Sequence, residues 1–149
     1  MKLIFFGARL LLFLSIQRIC LGQALPDLVV SAEDWGRSDV TIAPALARQS
    51  DSCRIYVRVH NNGESEAANV RVKVVVQQPS TPDPWTAEFR VDALPGQSSI
   101  VETMQFRPKH NGVHQVAVSI DPEDAVRETD ENNNTATLAF PVVRREVFI

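Results

Sequence analysis

The stretch DPEDAVRETDENNNT, residues 121–135, concentrates the side chains of this sequence that could do chemistry. Six of its fifteen residues are acidic and three more are consecutive asparagines. Calcium takes about six to eight oxygen ligands, which carboxylates and carbonyls in loops supply. The sequence therefore predicts a candidate calcium site, and the carboxylates that would serve it are Asp121, Asp124, Glu128, Asp130 and Glu131, with Glu123 as a further candidate.

The same composition also suits a long turn between two strands. Asp and Asn side chains accept hydrogen bonds from nearby backbone N–H groups and tolerate left-handed φ angles. The EF-hand spacing D-x-D-x-D-G is absent, and the stretch has no glycine for the sharp bend of that loop. We therefore expect 121–135 to be mainly a structural turn, in which Asn133 and Asn134 bond to the backbone.

The same structural interpretation places the other side chains of the loop. Glu128 and Glu131 are expected to face water or pair with Arg127, and Val126 is expected to dock the loop on the core. A glycosidase also needs two carboxylates, about 5–9 Å apart across a sugar cleft. The flanking strand-like runs indicate no concave pocket, so the sequence predicts no catalytic residues here.

Other candidate sites give weaker signals. His110 and His114 have the H-x-x-x-H spacing that binds zinc on a helix, but Asn111-Gly112 between them predicts a turn with both histidines facing solvent. Cys53 begins the alternating run CRIYVRV, which predicts a buried core residue rather than a reactive thiol. No G-x-S-x-G motif, Cys/His pairing or phosphate-binding glycine loop occurs. The sequence predicts no enzyme and no cofactor other than the candidate calcium.

Two tryptophans lie in or beside loops. An exposed tryptophan can stack on a sugar or anchor a protein partner, whereas a buried one plugs an end of the core. We expect the second role for Trp35. Trp85 follows the proline-rich stretch QQPSTPDP, and for it both roles stay open: plugging the core like Trp35, or binding a partner, for which it is the candidate residue. The partner expected is a protein or glycan at the cell surface or in the periplasm.

Alternation with period two positions these residues. Val70, Val72, Val74 and Val76 alternate with polar or exposed positions, and similar runs recur between turn signals such as Asn-Asn-Gly and Pro-Gly. Half-buried antiparallel strands have this pattern. The sequence therefore predicts an all-β, immunoglobulin-like antiparallel β-sandwich of about seven strands.

The chain divides into three parts. An uncleaved amphipathic membrane anchor is one interpretation of residues 1–24. Their basic residues, the apolar run LLLFLSI and the small residues before a cleavage point favour a signal peptide, which predicts export to the periplasm, cell surface or medium. Removing it takes away three basic residues and no acidic ones, so the net charge falls from −3 to −6. An acidic domain without a basic patch predicts no nucleic-acid binding. The domain is expected at 25–143, followed by a tail at 144–149.

The run VSIDPEDAVRETDENNNTA resembles the end of the CARDB family, the cell-adhesion-related domain found in bacteria. PDLVVS at 26–31 resembles the opening strand of the family, and LPGQS at 94–98 resembles one of its turns. VRVHNNGESEAANVRVKV resembles its second and third strands, with Asn61 and Gly63 as structural residues of an N-x-G turn.

This resemblance implies an extracytoplasmic sandwich without catalysis, acting as a binding or adhesion-type module through its loops and sheet surfaces. Two alternatives stay open. One is a structural accessory subunit of an envelope or surface assembly, joined through β-edges or the VVRREVFI tail and capable of self-association. The other is a calcium-binding extracellular domain.

Overall fold

The computed structural model describes residues 24–32 and 38–144. The predicted signal peptide, apart from Ala24, lies outside the described residues. So do Trp35 and all of the predicted tail except Arg144.

The described residues form nine strands and no helix. Their bounds are β1 Leu28–Val29, β2 Val40–Ala43, β3 Ala47–Arg48, β4 Cys53–Asn61, β5 Ala67–Gln77, β6 Trp85–Leu94, β7 Ser98–Phe106, β8 Gly112–Ile120 and β9 Thr135–Val143. The all-β prediction is confirmed. The structure has more strands than the predicted seven or so because two short strands, β2 and β3, add to the opening strand β1 and the six long strands.

The strands form two sheets. In the first sheet, β4 is central: β7 pairs with one of its edges along the whole strand, and β1 and β2 share the other edge. The second sheet has the order β3-β9-β8-β5-β6. Every pair is antiparallel except β3 with β9, which is parallel. The immunoglobulin-like sandwich is therefore confirmed.

The core lies between the sheets and consists largely of valines from the alternating runs. Val57 of β4 and Val72 of β5 have no exposed surface, and their inward-facing neighbours on the same strands are also buried. Val and Ile pack well on a pleated surface because their branched side chains are stiff. Burying each one contributes about 1.5–3 kcal/mol relative to leaving it in water.

The two ends of the sandwich differ, and we name them by their chemistry. The acidic end carries residues 24–27 and the connections 62–66, 95–97 and 121–134. The aromatic end carries four rings, those of Trp85, Phe106, His114 and Phe140. The proline-rich stretch 78–84 is the turn of the β5–β6 hairpin at this second end, where Val76 pairs with Trp85. Among residues 24–32 and 38–144 no helix is long and apolar enough to cross a membrane.

Candidate functional site

The connection 121–134 is anchored at its start by Asp121. Asp121 is buried, and its Oδ2 accepts a hydrogen bond of 2.7 Å from the backbone N–H of Val126. Val126 is partly buried against the core. Asp121 and Asp124 both have positive φ, 44° and 52°, which Asp tolerates better than most residues. The loop is therefore docked on the sandwich and shaped by its own side chains.

Glu128 ties this loop to the first strand. It is only 6% exposed, and its carboxylate accepts hydrogen bonds from the backbone N–H of Leu28 at 2.5 Å and from Nδ2 of Asn134 at 2.8 Å. The expectation that Glu128 faces water or pairs with Arg127 is wrong, because the carboxylate supplies acceptors that buried donors would otherwise lack.

The position of Glu128 changes its acidity. Burial raises its pKa from the ordinary 4.5 to about 7, because the charged form loses hydration. The hydrogen bonds from Leu28 and Asn134 oppose this rise, and the negative charges of Glu131 and Asp121 add to it. Glu128 is therefore a buried acid that titrates near neutral pH.

The two asparagines after it bond mainly to carboxylates. Nδ2 of Asn133 donates to Oδ1 of Asp27 at 2.9 Å, and Nδ2 of Asn134 donates to Glu128. The expectation that these side chains bond to the backbone is wrong. Within the part of the chain that the structure describes, the buried Oδ1 atoms of Asn133 and Asn134 accept no hydrogen bond.

The remaining carboxylates are spread along the loop. Oε1 of Glu131 accepts from the backbone N–H of Glu128 at 2.8 Å, and Oδ1 of Asp130 accepts from the backbone N–H of Asn132 at 3.0 Å. Asp124 is exposed. Over residues 24–32 and 38–144, no three or more His, Cys, Asp or Glu side chains form a group that could hold a metal ion. Calcium binding by this loop stays a prediction.

Asn61 is the second anchor of the acidic end. Its side chain has no exposed surface and bonds to four backbone groups. Oδ1 accepts from the N–H groups of Asp27 and Gly63, both at 3.1 Å, while Nδ2 donates to the carbonyls of Ser65 and Leu94 at 2.8 and 2.9 Å. The sequence pattern places Asn61 in a turn, but it carries no signal that the same side chain also reaches residues more than thirty positions away.

Gly63 shows why the neighbouring turn needs glycine. A Cβ atom at this position would lie 2.6 Å from the backbone nitrogen of Asp27 and closer still to the carbonyl oxygen of Leu25. Real Cβ atoms do not approach backbone this closely, so any side chain would displace segment 24–27. The close approach lets Asn61 bond to both segments.

The aromatic end is packed around Phe106. The ring centroids of Trp85, His114 and Phe140 lie 5.4, 6.0 and 6.4 Å from that of Phe106. Trp85 is half-buried and packs against the core, so part of its surface remains available to a partner. Partner binding by Trp85 stays a prediction.

His114 is one of these buried rings, with no exposed surface. The expectation that both His110 and His114 face solvent is therefore wrong for His114, which lies on the inward face of β8 opposite Phe140. Burial lowers its pKa, so the ring is held neutral. Its Nε2 has no hydrogen-bond partner among the described residues.

Cys53 lies in the core at the start of β4. Its thiol is 2% exposed and donates a hydrogen bond to the carbonyl of Phe106 at 3.2 Å. Burial raises the pKa of this thiol, which disfavours the thiolate that a nucleophile needs. Cys53 is therefore a packing residue, as predicted.

A model of the family described as CARDB matches residues 25–138. The chain belongs to the CARDB family. The CARDB resemblance of the sequence motifs is thus confirmed over nearly all of the described domain. The family indicates a non-enzymatic surface or adhesion-type module. No protein of curated function matches the sequence.

Solved structures agree with the CARDB assignment. The chain is similar to the CARDB domain of the PF1109 protein from Pyrococcus furiosus, crystallised in complex with di-metal ions, with 25% identity, a TM-score of 0.62 and coverage of 81% of this chain and 96% of that one. The solution structure of that domain gives a TM-score of 0.59 at 25% identity, over 80% and 96% of the two chains. A protein from Geobacter metallireducens, 20% identical with a TM-score of 0.53 over 74% and 95% of the chains, shows the fold alone.

Proposed function

We propose that this CARDB domain is an exported, non-catalytic binding module of the adhesion type, which contacts a protein or glycan through a sheet surface. Export is supported by the signal-like pattern of residues 1–24. The family supports the absence of catalysis. The surface is supported by the outer face of β8 and β9.

That outer face carries no charged side chain on β8 or β9, and this is the observation that carries the proposal. Its outward-facing residues on β8 and β9 are Val113, Gln115, Ala117, Ser119, Thr135, Thr137, Ala139 and Pro141. Val113 is 65% exposed and pairs with Pro141, while Leu46, just before β3, is 54% exposed. Sheet surfaces facing only water usually carry charges, so an uncharged face with exposed large apolar residues favours contact with another molecule.

The outer face of β5 and β6 offers an internal comparison. Its outward residues include Arg71, Lys73, Glu88 and Arg90, and Arg71 forms an ion pair with Glu123. The outer face of this sheet therefore has a charged half on β5 and β6 and an uncharged half on β8 and β9, and the uncharged half is the one suited to docking. A partner is therefore expected on the β8–β9 half.

The experiment is a binding screen of the purified protein on arrays of bacterial polysaccharides and surface proteins. Val113→Asp and Leu46→Asp should each abolish the signals seen with the unaltered protein, because each places a charge in the contact. Thr86→Asp on the outer face of β6 is the matched control and should bind normally. Equal binding by Val113→Asp and Thr86→Asp would overturn the proposed surface.

Calcium binding is the second candidate, favoured by the di-metal complex of the PF1109 CARDB domain. Among the described residues the buried Oδ1 atoms of Asn133 and Asn134 accept no hydrogen bond, and Asn134 lies beside the carboxylate of Glu128, so these oxygens are candidate ligands for a cation. A ligand that binds only the native state raises the unfolding midpoint. A rise with excess calcium over chelator, lost in Asn134→Ala, would support it, and an unchanged midpoint would count against it.

A further inference from the structure

The side of the sandwich between β6 and β7 is open. Inward-facing residues on strands β4 and β5 are buried, whereas Phe89 of β6 and Ile100 and Met104 of β7 also face inward but are only half-buried. We call this region the open seam and define it by Ala87, Phe89, Ile100, Glu102 and Met104. These half-buried, inward-facing apolar side chains are the part of the core that the described residues leave uncovered.

The open seam exists because both of its strands are edge strands. Among the described residues β6 pairs only with β5, and β7 pairs only with β4. One edge of β7 therefore has backbone groups along Ser98–Phe106 that pair with no strand of residues 24–32 or 38–144. Such an edge accepts an added strand, whose backbone supplies the hydrogen bonds and whose alternate side chains enter the core.

Glu102 determines which strand would fit. It is opposite Val57 in the register, so it faces inward between Ile100 and Met104, and it is half-buried. It forms no ion pair with any residue of 24–32 or 38–144. A strand filling the seam would need a cation facing Glu102 and an apolar residue two positions along, because side chains on one face repeat every second residue.

Residues 145–149, Arg-Glu-Val-Phe-Ile, have this pattern. We propose that this segment of a second copy of the chain adds to the free edge of β7 and fills the open seam. Arg145 then faces Glu102, and Val147 falls beside Met104 in a parallel alignment or beside Ile100 in an antiparallel one. Arg144 and Glu146 lie on the opposite face of the added strand.

The sheet order makes the segment of a second copy the better occupant. In the order β3-β9-β8-β5-β6, two strands separate β9 from β6, so these two lie about 14 Å apart. Five extended residues span at most about 17 Å. A segment that crossed this distance from its own β9 would have almost no length left to lie along β7.

Charge reversal tests the contact directly. Concentration-dependent association of the full chain is measured by sedimentation equilibrium for Glu102→Arg, Arg145→Glu and the double variant. Each single change should weaken association at least about tenfold because it places like charges in contact. The double variant should recover most of the loss, since it restores an opposite-charge pair in reversed order.

Two controls separate this contact from other effects. Arg144→Glu makes the same charge change one residue away on the opposite face, and Glu88→Arg makes it on the outer face of β6; both should associate like the unaltered protein. Thermal unfolding verifies that each variant folds. Val113→Asp separates this contact from the proposed binding surface, because it should abolish binding to the partner and leave self-association unchanged.

An inward charge on an edge strand can also serve to keep other strands away. In that case Glu102→Val would strengthen association, whereas the proposed contact with Arg145 requires Glu102→Val to weaken it. Stronger association in Glu102→Val, or equal association in Arg145→Glu and Arg144→Glu, would overturn the proposal.

Discussion

At the acidic end, Asn61 and Glu128 hold backbone groups of distant segments together by hydrogen bonds, whereas at the aromatic end Phe106 packs against the rings of His114 and Phe140. Both ends close the same sandwich of valines. The acidic end does so with directional bonds that leave a buried acid near neutral pKa. The aromatic end uses apolar area and leaves a buried imidazole neutral.

One fold is therefore closed by two sets of interactions with opposite responses to pH. Protonation removes the unfavourable buried charge of Glu128, but it would place a new charge on buried His114. Stability near neutral pH is therefore a balance between the two ends. Variants at each end can separate the contributions.

The largest effect is expected from Phe106→Ala at the aromatic end. Phe106 is 1% exposed, and truncation leaves a cavity lined by three rings. The free energy of unfolding should fall by about 3–5 kcal/mol. Chemical denaturation at neutral pH measures the change. Val101→Ala, an outward residue on the same strand, should cost less than about 0.5 kcal/mol. A loss for Phe106→Ala as small as the control's would mean that the rings do not close this end.

A somewhat smaller loss is expected from Asn61→Ala at the acidic end. The change leaves four backbone groups without their side-chain partner, and one of them, the carbonyl of Leu94, is buried. We expect a loss of about 3 kcal/mol by the same denaturation measurement. The neighbouring Asn62→Ala, an exposed position, is the control and should be nearly neutral. Similar losses for the two variants would contradict the anchoring role of Asn61.

The pH dependence of Glu128 comes next. Its pKa is about 7 in the folded state and near 4.5 in the unfolded state, so the folded state binds the proton more tightly. The contribution of Glu128 to the free energy of unfolding therefore rises as the pH falls from above 7 towards 4.5. Glu128→Gln should remove this rise from the unfolding free energy measured across the range. Exposed Glu66→Gln should retain it. A retained rise in Glu128→Gln would assign the effect to another group.

His114 is expected to act in the opposite direction. Its folded-state pKa lies below the ordinary 6.5, so the unfolded state binds the proton more tightly and stability is lost as pH falls below about 6.5. His114→Phe keeps a ring in the cluster and should reduce this loss. His110→Gln, at the nearby turn, should largely keep it. If His114→Phe loses as much stability at low pH as the unaltered protein, the imidazole is not held neutral in the folded state.

The smallest effect is expected from Asn133→Ala. Its side chain donates one hydrogen bond to Asp27, and its buried Oδ1 has no partner among the described residues. Removing an unpaired buried oxygen offsets part of the lost bond, so the cost should be about 1 kcal/mol or less. Thermal unfolding measures it. A loss as large as that of Asn61→Ala would show that Asn133 has further partners.

Much of the fold followed from local pattern. Alternation placed Val57, Val72 and Val118 inward, and each is buried. The same rule assigned Cys53 to the core. His114 was predicted wrongly because the Asn-Gly turn next to it suggested an exposed position, although its register in β8 makes it inward. Local pattern cannot weigh a polar ring against the aromatic neighbours that accept it.

The candidate site was located but not understood from sequence. The acidic stretch 121–135 was recognised as a turn, and its motif identified the CARDB family. The partners of Glu128 were not predictable, because Leu28 lies one hundred residues earlier in the chain. The hydrogen bond of Asn61 to Leu94 has the same origin.

The sequence by itself determined the strands, the turns and the family, because period-two alternation and Asn, Gly and Pro chemistry act over a few residues. Only the tertiary structure decided which polar groups are buried, which ends they close and which seam stays open. Those properties depend on contacts between strands distant in sequence, where burial changes the hydration and acidity of a side chain. Glu128 shows this most clearly: its residue type predicts a solvated anion, and its place beneath β1 makes it a buried acid.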